Sequence, residues 1–426
     1  MRPRELGDRG GRWRQTLAAS IGNLLEWYDF ALFGLTAAVF SEQFFPTHDG
    51  GAGLIRVFAT FAAGFLARPL GGIFFGWVGD RFGRRRSLTL SIWLMVIPTL
   101  GIGLLPGVDV LGIWATALLI VLRVIQGLSV GGEWVSSMIF LVESSESHRQ
   151  GFRSSFGLVT ISLGLALGSG VVLLVHSSFG DGGWQSWAWR IPYLLGGVLA
   201  FFGVWVRRVI RESPAFVELA ESDRRAAHPI HAAIRSVPRR IALMMGAVGI
   251  STVTFTVFFI WAPGYAQSHL GLDARSAMLA NTAGLVTLAV LTPFGGWLSD
   301  VVGYKRLYVG VVAALTAAMV PGIALLDSGT LAGAMLAQMG VGALLGLLQP
   351  SVVLARLFPV ALRTSAMGLG YNVPQAFLGG LAPLVCSGLV QRTGEPLSPA
   401  LFLLAVGIVS SVSAWRLPQS PPQDRG

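Results

Sequence analysis

The chain has 426 residues, of which 53% are hydrophobic and only 12% charged, against about 25% charged residues in a soluble domain. Water is therefore not the solvent for most of its surface, and the 55 glycines suit helices that pack closely in lipid. The net charge of +10 comes from arginines in short clusters between apolar segments, not from one basic face, which argues against a nucleic-acid partner. The lone cysteine, Cys386, excludes a disulfide framework and a cysteine-based metal site.

A helix needs about 20 apolar residues to cross about 30 Å of hydrocarbon. With that window the chain reads as about twelve spans. In order they lie near 17–40, 53–77, 88–106, 111–141, 153–176, 188–207, 241–265, 276–298, 306–326, 330–355, 364–390 and 398–415. The first is too long, and lacks the small-residue site, for a cleaved signal peptide. None shows the ten-residue alternation of an outer-membrane barrel. Charged clusters or Gly/Pro/Asp-rich turns such as "LPGVDVLG" and "FGDGGWQS" separate them.

Basic residues fall on alternate connections: Arg2, Arg4, Arg9, Arg12 and Arg14; Arg81, Arg84, Arg85 and Arg86; Arg149 and Arg153; the eight arginines between Arg207 and Arg240; Lys305 and Arg306; Arg356 and Arg363; Arg416 and Arg425. The other connections hold little beyond Arg275 and Arg392. Twelve spans with both termini cytoplasmic put every rich connection inside. The longest polar stretch divides the chain into a bundle over 1–207, a linker over 208–240 and a bundle over 241–426. "FGWVGDRFGRRR" (75–86) and "GGWLSDVVGYKR" (295–306) share Gly, Trp, Asp, Gly and Arg in register after the second span of each half, which predicts an internal duplication.

Gly76, Asp80, Gly83, Arg84 and Arg85 form a loop that resembles the signature of the major facilitator superfamily. "GNLLEWYDFALFG", "FLARPLGGIFFGWVGDRFGRR", "RVIQGLSVGGEW", "WAWRIPYLLG" and "RESPAF" are similar to the metabolite:proton symporter group within it, which takes proline/betaine, α-ketoglutarate, shikimate and citrate permeases. The resemblance runs along the whole chain. It implies an all-α membrane protein of twelve helices in two six-helix bundles, alternating access, a substrate site at the midplane, and uptake driven by a proton gradient with no cofactor. Gly76, Asp80, Gly83, Arg84, Arg85 and the repeat residue Asp300 are expected to form a cytoplasmic gate, with a topogenic role for the arginines as the plainer alternative.

Two carboxylates lie deep in the first span. Asp29 is about 18 Å in, and Glu26 is one turn away on the same broad face, with Asn23 a further turn down. An isolated ionised carboxylate in oil is costly, so it takes a proton or finds a cation, as a proton carrier must. Arg68, beside Pro69 in the second span, and Arg123 in the fourth are candidate cations at matching depth, with Gln126 and Glu133 on the broad face of Arg123. The second half offers only neutral groups: Thr252, Thr254, Thr256, Gln338, Tyr371, Asn372 and Gln375. His48, His148, His176, His228, His231 and His269 map to connections or span ends, which leaves carboxylates as proton carriers. We therefore expect proton coupling at Asp29, Glu26, Arg123 and Glu133, and substrate contacts at Arg68, Gln126, Tyr371, Asn372 and Gln375. Fixed ion pairs and inter-helix clamps are the structural alternatives. Trp184, Trp187 and Trp189 are expected to anchor at the membrane interface.

The sequence points to a monomeric, multi-pass cell-membrane importer of a small organic acid, with proton and lipid as its other partners. A zwitterionic osmolyte such as proline or betaine is the alternative cargo. The sequence ends at "SPPQDRG" without the coiled-coil extension of some osmosensing relatives, which weighs against osmotic regulation. A fifth span without a Gly-Pro motif weighs against drug antiport, single staggered charges against a channel, and the lack of H-E-x-x-H or G-x-S-x-G constellations against an enzyme.

Overall fold

The computed structural model describes residues 9–46, 50–222 and 228–418. Arg2, Arg4, His48, Arg224, Arg225 and Arg425 lie outside the described residues. Twelve helices correspond to the twelve expected spans. They are α1 (Arg9–Leu35), α2 (Gly50–Phe82), α3 (Arg84–Leu104), α4 (Ile113–Glu143), α5 (Gln150–Gly183) and α6 (Arg190–Val206). The second set is α7 (Pro238–Thr256), α8 (Ala274–Val302), α9 (Tyr304–Asp327), α10 (Leu331–Leu347), α11 (Arg363–Pro374, continuing to Thr393) and α12 (Ser398–Trp415). Among the described residues nine helices are long and apolar enough to cross a bilayer, and α1 with the helix Ala37–Phe44 makes a tenth span bent by 63°. The remaining two, α6 and α10, are shorter apolar helices of 17 residues each, at the lower limit of about 17 for a span.

Local chemistry sets the boundaries. Asp273 and Thr330 accept the main-chain N–H of Ser276 and Gly333 and so cap α8 and α10, and Gly394 stops α11 in the left-handed conformation. Three five-residue wide-turn segments, at 184–188, 257–261 and 375–379, interrupt the ladder before α6, after α7 and within α11. α2 passes through Pro69 as one helix.

The chain divides into two units. One comprises residues 1–144 and 160–225, the other residues 145–159 and 226–426, so α5 contributes its first turns to the second unit and its remainder to the first. Of the expected linker, helix Pro214–Glu221 lies in the first unit and helix Pro229–Ser236 in the second. In the first unit, small residues let α2 and α4 touch backbone to backbone: a Cβ on Gly127 would strike the Gly64 carbonyl, and one on Gly131 the Arg68 carbonyl. In the second, Gly342 meets the Gly284 carbonyl in the same way across α8 and α10.

Of the three tryptophans expected at the interface, Trp187 is 49% exposed and the other two are buried. Trp189 is fully buried and Trp184 nearly so, in a cluster with Phe40, Phe44 and Tyr193. Phe40 meets the Trp189 ring edge-on at 5.3 Å. The bend after α1 folds Ala37–Phe44 back over these rings, and apolar contact outweighs the polar handle of the indole.

The repeat survives in the backbone. Gly83 precedes α3 at φ 106°, ψ 155°, and Gly303 precedes α9 at φ 101°, ψ 130°, a region that only glycine enters without strain. A Cβ at Gly303 would meet nothing, whereas at Gly83 it would overlap the Glu212 carboxylate. Gly303→Ala is accordingly expected to cost about 1–3 kcal/mol, the range for a residue held in a sparse backbone region, and Gly83→Ala more. Thermal unfolding of the purified variants checks the order; equal melting temperatures would show that neither turn is strained.

Candidate functional site

In the first unit the deep charges gather in layers along α1. In the upper layer, Asp29 pairs with Arg123 of α4 at 3.5 Å and accepts the Thr99 hydroxyl of α3 at 3.0 Å. Gln126 closes the ring: its amide N–H₂ donates to Thr99 Oγ1 at 3.2 Å, and its carbonyl oxygen accepts Arg123 Nη1 at 2.9 Å. All four residues are at most 3% exposed. The Arg123 guanidinium lies over three rings, Phe33 at 4.4 Å, Phe30 at 4.7 Å and Phe61 at 5.0 Å. Its Nε and Nη2 make no hydrogen bond among the described residues.

One turn along, Glu26 is 1% exposed, and neither of its carboxyl oxygens makes a hydrogen bond among the described residues. It lies in the electrostatic reach of Arg68, Glu133 and Asp29. Arg68 is 3% exposed, its guanidinium 5.4 Å from the Phe65 ring centre. Asn23 donates to Ser137 of α4 at 3.3 Å.

In the lower layer, Glu133 is buried against Arg207, which binds both carboxylate oxygens, and Ser91 donates to the same carboxylate. Arg207 also donates to the carbonyls of Ala18 and Ala19 in α1, both at 3.4 Å, and to that of Leu88 in α3. Gly22 is where α1 clears this pair: a Cβ there would fall on the Glu133 carboxylate.

At the α2–α3 turn, Arg84 is fully buried, paired with Asp80 at 3.0 Å and Glu143 at 3.3 Å. Ser213 donates to Glu143 at 2.5 Å, and Glu212 accepts the main-chain N–H of Arg84 at 2.9 Å. Gly76 is buried near the end of α2, and the Arg85 side chain is exposed.

In the second unit, Asp300 accepts the main-chain N–H of Gly151 at 2.8 Å and of Phe152 at 2.9 Å, and the Tyr304 hydroxyl at 3.0 Å. Of its neutral groups, Gln338 donates across to the Phe258 carbonyl after α7 at 2.9 Å, whereas Asn372 and Gln375 bond one turn back within α11, to the Gly368 carbonyl at 2.9 Å and the Tyr371 hydroxyl at 2.8 Å.

The profile of the sugar (and other) transporter family matches residues 15–244. The proline/betaine transporter of Escherichia coli K12 is 31% identical over 95% of this chain and 83% of its own. The shikimate transporter of the same organism is 34% identical over 96% and 94%. The chain belongs to the sugar (and other) transporter family of the major facilitator superfamily. The proton:xylose symporter XylE bound to 6-bromo-6-deoxy-D-glucose shares the fold at TM-score 0.81, 19% identity and 96% coverage of both chains. This facilitator is thus a multi-pass membrane transporter and not an enzyme.

Thr99, Glu143, Glu212 and Arg207, with the hydroxyls of Ser91, Ser137 and Ser213, are network members that spacing alone did not single out. Arg207 reads as one more linker arginine, yet it caps the end of α6 and points inward: it is 1% exposed while its neighbour Arg208 is exposed. Its place at the foot of an apolar span was the available signal. Removing one partner of such a buried pair strands the other charge, at a cost of about 3–5 kcal/mol. Glu133→Ala and Arg207→Ala should each lower thermal stability by that order, and the double variant by less than their sum. A double-mutant cycle on melting in detergent measures the coupling; additive effects would rule it out.

Proposed function

We propose that this facilitator is a proton-coupled symporter that imports a small zwitterionic osmolyte of the proline or betaine type by alternating access, as a monomer in the cell membrane with both termini cytoplasmic. The observation that carries the reading is Arg123: a buried guanidinium, tied to Asp29 by one nitrogen and with Nε and Nη2 uncommitted, among phenyl rings. A carboxylate takes a two-nitrogen edge of that kind side-on, and aromatic faces suit a quaternary or secondary ammonium. The proline/betaine relative supports this cargo across nearly the whole chain.

In this cycle Asp29 and the substrate carboxylate compete for Arg123. When substrate engages the guanidinium, Asp29 loses its counter-charge and takes a proton, so the loaded site carries both and the empty site carries neither. Glu26, Arg68, Gln126 and Glu133 serve the same transfer on the first unit, and Tyr371, Asn372 and Gln375 supply hydrogen bonds from the second. The proton gradient is the driving force and no cofactor takes part. The Asp80–Arg84–Glu143 cluster and Asp300 act as the cytoplasmic gate.

A small organic acid is the second reading, favoured by the shikimate relative and by a second buried guanidinium, Arg68. Uptake into proteoliposomes with an imposed pH gradient separates the two. Proline or glycine betaine should accumulate and leak back on adding a protonophore. Accumulation of shikimate or α-ketoglutarate instead selects the acid, and none in response to the gradient removes symport. Asp29→Asn should abolish gradient-driven accumulation while leaving counterflow exchange measurable. Arg123→Lys should raise the substrate KM and weaken coupling, because an ammonium offers no planar two-nitrogen edge; wild-type coupled uptake by either variant would contradict the assignment.

A further inference from the structure

We propose that the turn between α2 and α3 binds one anionic phospholipid, the headgroup held by Arg81, Arg85 and Arg86 and the acyl chains laid along the outer face of α3. A cavity of about 640 Å³ opens there, lined by those arginines with Phe82, Leu90 and Glu212. Glu212 is the one carboxylate in that lining, and it is already engaged by main-chain N–H groups of Arg84, Arg85 and Ser213. Among the described residues no carboxylate pairs with the side chains of Arg85 or Arg86. The guanidiniums of Arg81 and Arg86 both lie over the Phe82 ring, 6.0 Å from its centre.

The apolar half of the site continues from the charged half without a break. Along α3, Arg86, Leu90, Trp93 and Ile97 follow at helical spacing, the last three 40%, 40% and 62% exposed. Phe201 of α6, 60% exposed, meets Trp93 edge-on at 6.0 Å and widens the stripe. A cationic pocket joined end-on to an apolar, ring-lined strip matches a phosphate headgroup with its acyl chains. A free phosphate would leave the strip unused, and the ammonium of a zwitterionic lipid would meet excess positive charge.

The test is native mass spectrometry of the full-length protein in detergent with added phosphatidylglycerol or phosphatidylcholine. Wild type should retain one phosphatidylglycerol in preference to phosphatidylcholine, undisplaced by inorganic phosphate. The Arg85→Gln/Arg86→Gln pair should bind it roughly thirty-fold more weakly, as each arginine near an anionic surface contributes about a factor of five. Arg85→Lys/Arg86→Lys should keep the preference, and Trp93→Ala should reduce retention several-fold while leaving the charges in place. Equal retention of both lipids, an unchanged glutamine pair, or full displacement by phosphate (a free-anion site) would overturn the proposal. Should the glutamine pair fail to insert, an unaltered Trp93→Ala overturns it as well.

Discussion

In hydrocarbon a charge is tolerated only beside its opposite, and the first unit is organised around that constraint. Glu133 and Arg207 meet almost fully buried, and Arg207 spends its remaining donors on carbonyls of α1 and α3. One guanidinium thereby gathers four helices, α1, α3, α4 and α6. Because the pair needs room against α1, residue 22 is glycine; because α2 and α4 must bring Arg68 and Arg123 near α1, they approach through Gly64, Gly127 and Gly131. The small residues and the charges are parts of one arrangement, since helices standing further apart would leave each carboxylate without its cation.

The two halves share a duplicated turn but have diverged in how they satisfy it. Asp80 and Asp300 hold equivalent places ahead of Gly83 and Gly303. In the first half the residue after the glycine is Arg84, which neutralises Asp80 and reaches Glu143. In the second that residue is Tyr304, which can donate a hydrogen bond to Asp300 but supplies no charge. Asp300 therefore takes the main-chain N–H groups at the start of α5, where the unpaired amides and the helix dipole favour an anion. One substitution in a repeated motif converts an ion-pair site into a helix-capping site. The same divergence runs through the interior, with charge concentrated in one half and neutral donors in the other.

Depth along a helix is legible in sequence because rise per residue is fixed. That is why the twelve spans, the repeat and the deep positions of Asp29, Arg68 and Arg123 follow from spacing. Partnership is less legible, because it depends on rotation and on which helices adjoin. Arg207 and Arg208 are adjacent in sequence, yet the turn of the helix sends one into the bundle and the other to its surface. Thr99 is an unremarked hydroxyl in an apolar run until α3 brings it to Asp29. Trp189 looks like an interface residue because tryptophan favours such places; the bend after α1 covers it with Phe40 and Phe44, a tertiary event that no local window contains.

The arginines consequently separate into two populations that composition lumps together. Arg84, Arg123 and Arg207 are buried, each matched to a carboxylate, and lend no charge to the surface. Arg81, Arg85 and Arg86 stand at the rim beside an apolar stripe. Consecutive residues 84, 85 and 86 cross from one population to the other within a single helical turn. The excess positive charge of the chain thus sits in the groups that face outward, where a bilayer carries its own charge, while the buried groups are close to neutral as a set. A transporter that moves a proton through its interior needs that separation: were the buried set left with an unmatched cation, no carboxylate beside it could take up a proton and release it again.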